Sequence, residues 1–139
     1  MPTTDEALAM LGRIWDERKL GYEAKLSVKH DSAGLEIFAR GSDESAVVYS
    51  PGDRWVSLDL PDGFSASHFE EGMTDEDILM WLERYLDTAI AYLEGRYVLR
   101  RSRPLRIPQV VIETSRGPVR LNVELKQLIR AVVTRGRAQ

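Results

Sequence analysis

Two histidines and two groups of carboxylates are the residues of this chain with the clearest capacity for chemistry. Glu70 and Glu71 closely follow His68, and such a group could bind a metal ion or act as a general base. The other histidine, His30, lies in a predicted hairpin loop and does not stand at a ligand spacing from His68. A histidine in a polar loop is usually only solvated, so the sequence does not favour a metal or catalytic site here.

A second carboxylate group runs from Asp75 to Asp77 and could hold a divalent cation. Acidic residues are also expected at the N-terminus of a helix because of the helix dipole, and consecutive helical residues point in different directions. We therefore expect a helix start here. The chain has no cysteine, no phosphate-binding glycine loop and no serine nucleophile motif. These features predict a protein that is not an enzyme and that carries no cofactor or metal.

Acidic and aromatic residues are concentrated around residues 59–77. Seven acidic residues fall in the segments Asp59–Asp62 and Glu70–Asp77. An acidic surface speeds association with a basic partner, and aromatic side chains supply binding energy when they become buried. The predicted partner-binding residues are Asp59, Asp62, Phe64, His68, Phe69, Glu70, Glu71 and Asp75. The alternative is an acidic surface that is merely solvated.

Residues 96–106 include five arginines, although the chain as a whole has a net charge of −3. Residues 1–95 carry 20 acidic and 8 basic side chains, whereas residues 96–139 carry 2 acidic and 11 basic ones. The arginines could neutralise the phosphates of a nucleic acid, with Tyr97 stacked on a base. The acidic body would repel a polyanion, so nucleic acid is not favoured. The sequence leaves open whether this basic segment is structural or a binding surface.

The elements that must position these residues follow from hydrophobic periodicity. Thr74 is a suitable N-cap, apolar residues recur at helical spacing from Ile78 to Leu93, and Gly95 is a natural stop. This central helix has a broad apolar face, which a sheet or further helices must cover. A first helix is also predicted. It starts at a capping box formed by Thr3 and Glu6, and Gly21 ends it.

Between the two helices, period-two patterns predict four strands of an antiparallel meander, at residues 22–28, 35–39, 46–50 and 55–60. Residues 64–72 show no period and are predicted to form an ordered surface loop. After the central helix, the prolines of the arginine segment favour extended backbone. A strand is predicted at Val110–Thr114 and a turn at residues 116–118.

The end of the chain is predicted to form a last helix, with Asn122 as its cap. Its apolar face would comprise Leu125, Leu128, Ile129, Val132 and Val133. Residues 135–139 are expected to be a frayed tail. The predicted fold is therefore a single α+β domain over residues 1–139, in which an antiparallel sheet of four to five strands packs against the long central helix. The N- and C-terminal helices complete the cover.

Composition predicts an ordinary globular protein, with 43% hydrophobic and 29% charged residues. No apolar run approaches the roughly 18 residues that a membrane span needs. The acidic N-terminus lacks the basic start and apolar middle of a signal peptide. We therefore expect a cytoplasmic protein with no membrane partner.

The second half of the chain resembles a known family. Glu83-Arg84-Tyr85-Leu86, a short helical run, Gly95, an arginine cluster and Pro104-Leu105-Arg106-Ile107-Pro108 are similar to the second half of the immunity protein 61 family. Its members are small actinobacterial proteins encoded beside polymorphic toxins, and the resemblance covers residues 20–108. It implies a non-enzymatic protein that binds and neutralises one cognate toxin in the producing cell, and it implies no active site.

Two other hypotheses remain. The order of elements, the length and the acidity also resemble the small acidic secretion chaperones of the YbjN and type III chaperone group, which bind an extended client segment and often form homodimers. A small hydrolase that uses His68 and neighbouring carboxylates is the third. An immunity protein requires one folded toxin partner, a chaperone requires a secreted client, and a hydrolase requires a deep pocket that contains His68.

Overall fold

The computed structural model describes residues 4–18, 21–29, 32–41, 44–50, 55–69, 72–102 and 107–123. In these ranges the chain forms two helices and eight strands, and all eight strands belong to one antiparallel sheet. The elements in chain order are α1 (Thr4–Arg18), β1 (Glu23–Lys29), β2 (Ser32–Phe38), β3 (Ser45–Ser50), β4 (Trp55–Asp59), β5 (Phe64–Phe69), α2 (Asp75–Leu93), β6 (Val98–Ser102), β7 (Ile107–Thr114) and β8 (Gly117–Val123).

The sheet is built from two meanders that meet at its middle. Its strand order is β1-β2-β3-β4-β5-β8-β7-β6. The first five strands are neighbours in sequence and in space. The chain then crosses over through α2, enters the far edge of the sheet at β6, and returns through β7 to β8. The two meanders join where β8 pairs with β5 at Phe64↔Val123 and Ser65↔Asn122.

Both helices pack on the same face of the sheet. α1 lies on β1 and β2, and α2 lies on β3, β4 and β7. The strands alternate, so every second side chain points to the side of the sheet that carries the helices. On the inner strands, the apolar side chains of this side join a single core. The largest fully buried side chains of this core are Leu11, Ile14, Leu35, Ile37, Val48, Val56, Leu58, Ile78, Leu82, Leu86, Ile112 and Leu121.

The sequence correctly predicted the helix at the centre of this cover. The Thr74 hydroxyl accepts a hydrogen bond from the Asp77 N–H at 3.2 Å, and the Asp77 carboxylate accepts one from the Thr74 N–H at 3.0 Å. This reciprocal pair is a capping box. At the other end Gly95 has a φ of 78°, which residues with a Cβ rarely adopt.

The predicted fold architecture was wrong, because the sheet has eight strands and not four to five. Residues 64–69, predicted as part of a loop, form β5. This Phe-Ser-Ala-Ser-His-Phe segment has no local strand pattern, and pairing with β4 and β8 makes it a strand. Asn122, predicted as a helix cap, lies inside β8, where Val119 and Leu121 point into the core.

The other differences concern the segment after α2 and the two ends of the chain. The arginine segment is extended as expected, but Val98–Ser102 forms a paired strand, β6, against β7. In the described residues the domain is therefore an eight-stranded sheet with two helices on one face, not a sheet of four to five strands packed against a long central helix. Thr3, the last helix predicted after Asn122 and the frayed tail at residues 135–139 lie outside the described residues.

Removing the capping hydroxyl should destabilise the domain without changing its fold. Thr74→Ala is expected to lower the free energy of unfolding by about 1 kcal/mol, because the Asp77 N–H loses its acceptor. Urea denaturation followed by circular dichroism measures this change. Thr74→Ser keeps the hydroxyl and should retain most of the stability, so an equal loss in both variants would contradict the role of the cap.

Candidate partner-binding surface

The predicted partner-binding residues do not share one surface. Phe64 is only 8% exposed and belongs to the apolar core. His68 pairs with Val56 and points towards the helices, where its ring stacks on Trp81 at a centroid distance of 3.6 Å. Neither side chain is therefore presented on an outer face as the loop prediction assumed.

The acidic members of the predicted set are also dispersed. Asp62 lies in the turn before β5, and Asp75 is the first residue of α2, after β5. A strand of six residues, about 20 Å long, separates the two regions. Glu70 and Glu71 lie outside the described residues. The predicted set thus contains only two described members, Asp59 and Phe69, that face the side of the sheet opposite the helices.

That opposite side, here called the open face, is covered by no helix among the described residues. Strand register places one polar row across all eight strands. From β1 to β6 the row reads Lys25, Glu36, Val47, Asp59, Ser65, Asn122, Gln109 and Arg100. Within it the Gln109 amide nitrogen donates to the Asn122 amide oxygen at 2.9 Å. An open, polar sheet face of this kind is available to a partner.

A depression of about 420 Å³ lies on the open face over β1 to β4. Its lining residues are Ser27, Ser32, Gly34, Glu36, Val47, Tyr49 and Asp59. Gly34 pairs with Ser27 on β1 and with Tyr49 on β3. Serine and glycine have small or no side chains, so there is little side-chain volume beside the Tyr49 ring. The absence of a side chain at Gly34 is what gives the depression its depth.

Two carboxylates flank this depression. Glu36 and Asp59 both pair with Val47 from opposite sides, so their Cα atoms are about 10 Å apart across three strands. Both side chains are half-buried, and the Ser45 hydroxyl donates to Glu36 Oε2 at 2.7 Å. Glu36 and Asp59 are the charged side chains among the described residues of the lining, and Lys25 lies beside Glu36 on the outer strand. The depression is therefore suited to a cationic group of a partner.

Sequence reasoning found Asp59 but missed Gly34, Glu36 and Tyr49. The alternation in β2 and β3 shows that these three residues point away from the core. Their proximity to Asp59 depends on the register of three paired strands, which no single segment encodes.

His68 takes part in an aromatic stack beneath the helix layer. Trp81 stacks with His68 and also carries the Arg84 guanidinium over its ring, at 4.6 Å from the centroid. Arg84 Nη2 donates to the Pro118 carbonyl at 3.0 Å, which ties α2 to β8. Arg84 Nε is buried and has no hydrogen-bond partner among the described residues. The stack connects α2 to β5 and β8. His68 is not among the described residues that line the depression over β1 to β4.

Comparisons with known proteins do not place the chain in a family: no family model, no curated protein and no solved structure matches it. The resemblance to the immunity protein 61 family remains a prediction. In the described ranges, no three His, Cys, Asp or Glu side chains come together as a metal site. Neither of the two helices found in those ranges is long and apolar enough to cross a membrane.

Two tyrosines of α2 have perturbed acidities. Burial raises the pKa of the Tyr85 phenol to about 12, although the positive charge of Arg84 acts in the opposite direction. Burial also raises the pKa of Tyr92, and a hydrogen bond from the Tyr92 hydroxyl to the Asp62 carboxylate adds to that shift. Both phenols therefore stay protonated in the folded protein at pH values where unfolded tyrosine ionises.

Alkaline pH should destabilise the fold through these groups. As the pH rises from about 10, unfolded tyrosine loses its proton while Tyr85 keeps it, so the folded state binds more protons and the free energy of unfolding falls towards pH 12. Below about pH 10 both states are protonated and this contribution is constant. Tyr85→Phe should make the fall less steep in urea titrations across this pH range. Identical slopes in the two proteins would contradict the assignment.

Filling the depression should not unfold the protein. A Cβ at Gly34 would lie 3.7 Å from Tyr49 Cβ and 3.8 Å from Ser27 Oγ, which are ordinary contacts. Gly34→Ala is therefore expected to raise the free energy of unfolding by up to about 1 kcal/mol, because glycine weakens a strand interior. Gly117→Ala is the control, since Gly117 has a φ of +107° and substitution there should destabilise. Thermal denaturation of both variants tests the contrast.

Proposed function

We propose that this chain is a non-enzymatic protein-binding module that acts as an immunity protein, binding and neutralising a cognate toxin through the open face of its sheet. The observation that carries the proposal is the depression over β1 to β4, which is lined by the half-buried carboxylates Glu36 and Asp59. The resemblance of residues 20–108 to the immunity protein 61 family supports an immunity function separately.

The chemistry of the depression favours a basic group of the partner. A lysine or arginine side chain entering between Glu36 and Asp59 would form charge-assisted hydrogen bonds where solvent is partly excluded. Such pairs at an interface accelerate association and are costly to disrupt. Tyr49 lines the same depression and can pack against the aliphatic part of that side chain.

An exposed aromatic ring on the same face as the depression can anchor a larger partner surface. Phe69 is 55% exposed on the open face, at the end of β5. Burying such a ring at an interface supplies apolar binding energy beyond the charge pairs. An acidic depression and an exposed aromatic ring on one face of the sheet therefore fit a folded basic partner better than they fit a small substrate.

The proposal predicts that the two carboxylates are required for partner binding. Glu36→Gln combined with Asp59→Asn removes both charges but keeps side-chain shape, and glutamine can still accept from Ser45. The matched control, Asp16→Asn with Glu17→Gln, neutralises two exposed carboxylates on α1 instead. The tagged proteins are used to capture partners from the native cytosol, and the partner's affinity for each variant is measured by calorimetry.

One stoichiometric partner should bind the wild type and the control, bind the depression variant at least tenfold more weakly, and lose its toxicity to cells that coexpress the wild type. Equal binding by the depression variant and the α1 control would contradict the assignment of the binding site to the depression. A captured partner with no toxic activity would contradict the immunity function. Capture of several secreted clients by a dimeric protein would favour the chaperone hypothesis.

A further inference from the structure

The edge strands of the sheet are β1 and β6, and β6 belongs to the arginine-rich half of the chain. β6 pairs with β7 on one side only, and no described strand covers its other side. An edge strand of this kind presents a row of backbone N–H and C=O groups that an extended chain can pair with. β6 therefore offers a template for strand addition.

Large apolar side chains are exposed at the start of β6. Tyr97 is 40% exposed, Val98 55% and Leu99 47%, so three consecutive large apolar residues reach solvent. Val98 and Leu99 lie on opposite faces of the strand, because successive residues alternate. Tyr97 is held by stacking on Tyr92 of α2, with centroids 4.6 Å apart. An added strand would find apolar contacts on both of its faces.

The charges beside these apolar residues define the partner. Arg100 and Arg101 are exposed, and neither forms an ion pair with another described residue. Arg100 and Arg101 point to opposite faces of the sheet, because successive strand residues alternate. One guanidinium is therefore available to the side chains on each face of an added segment. Arg96 is partly neutralised, because its Nε lies 3.1 Å from a Glu94 carboxylate oxygen. The two arginines are suited to an acidic segment.

Two other occupants fit this edge less well. If β6 of a second copy were added antiparallel, arginines of the two copies would face each other directly or within two positions, and like charges there are destabilising. A nucleic acid would meet the arginines but could not use the backbone ladder, and the net charge of −3 repels it. An acidic polypeptide uses the ladder, the apolar residues and the arginines together.

We propose that the β6 edge, Val98–Ser102, binds an extended acidic segment of a partner protein by antiparallel strand addition. This surface is separate from the depression over β1 to β4 and does not depend on it. Arg100 and Arg101 provide selectivity for acidic side chains, and the backbone of β6 provides the pairing. The basic segment is then a binding surface in addition to a structural element.

The test uses the full chain and a short acetylated and amidated peptide in which a glutamate pair is flanked by valines. Binding is followed by fluorescence anisotropy, and hydrogen–deuterium exchange locates the protected backbone. One control peptide has lysines in place of the glutamates. Another is N-methylated at every residue, so it keeps its charge but cannot donate backbone hydrogen bonds. A single-stranded thymidine oligonucleotide is the competing polyanion.

The variant pair is Arg100→Glu with Arg101→Glu, and the matched control is Arg13→Glu with Arg116→Glu, which reverses two exposed arginines elsewhere. We expect the acidic peptide to bind, to weaken at least tenfold in the β6 variant only, and to protect amides of residues 98–102. Both control peptides should bind at least tenfold more weakly. Circular dichroism checks that each variant is folded.

Several results would overturn the proposal. These are failure of the acidic peptide to bind the wild type, equal weakening in the two variants, or undiminished binding of the N-methylated peptide. Protection of β1 (Glu23–Lys29) in place of β6 would assign the peptide to the wrong edge. Tight binding of the oligonucleotide through the same arginines, with no peptide binding, would show that the segment recognises phosphates instead.

Discussion

The structure depends on α2 lying across both halves of the sheet. Among the described residues, β5 and β8 pair at two positions, so few backbone hydrogen bonds join the two meanders in this part of the chain. α2 contacts β3 and β4 in the first meander and β7 in the second, and its buried side chains belong to the same core as those of both. Apolar burial under this helix, more than the ladder at β5 and β8, makes one domain of two strand groups. Arg84, which reaches from α2 to the Pro118 carbonyl, adds a polar link at the same junction.

This arrangement determines where a binding surface can lie. α1 and α2 both cover one face, and the Arg18 guanidinium of α1 holds the Asp87 carboxylate of α2 at 3.1 Å, which fixes the two helices side by side. Side chains that alternate away from the helices are free of the core, and many of them are small or polar. Gly34 can therefore leave a depression in the open face at little cost to the core, because its neighbours on that face do not support the helices.

The sequence predicted the elements whose signals are local. The N-cap at Thr74, the periodicity of α2 and the alternation of the first four strands each lie within one segment, and all were confirmed. β5 was missed because its sequence has no local strand pattern, and β8 was missed because Asn122 was interpreted as a helix cap. Both segments were interpreted without the strands that they pair with. The predicted site had the same weakness. It was chosen by proximity along the chain, whereas alternation separates His68 from Phe69 and brings Asp59 towards Glu36.

The strand order also converts the charge asymmetry of the sequence into an asymmetry across the sheet. Residues 23–69 form one part of the sheet and residues 98–123 the other, so the acidic depression and the basic β6 edge are separate. β3 and β6 are five strands apart, or about 24 Å. This distance exceeds the screening length of roughly 8 Å at physiological salt, so the two surfaces are electrostatically independent of each other. An acidic segment is repelled by the first half of the sheet and attracted by the second. A protein carrying a basic group and an acidic extended segment would therefore bind in one orientation only.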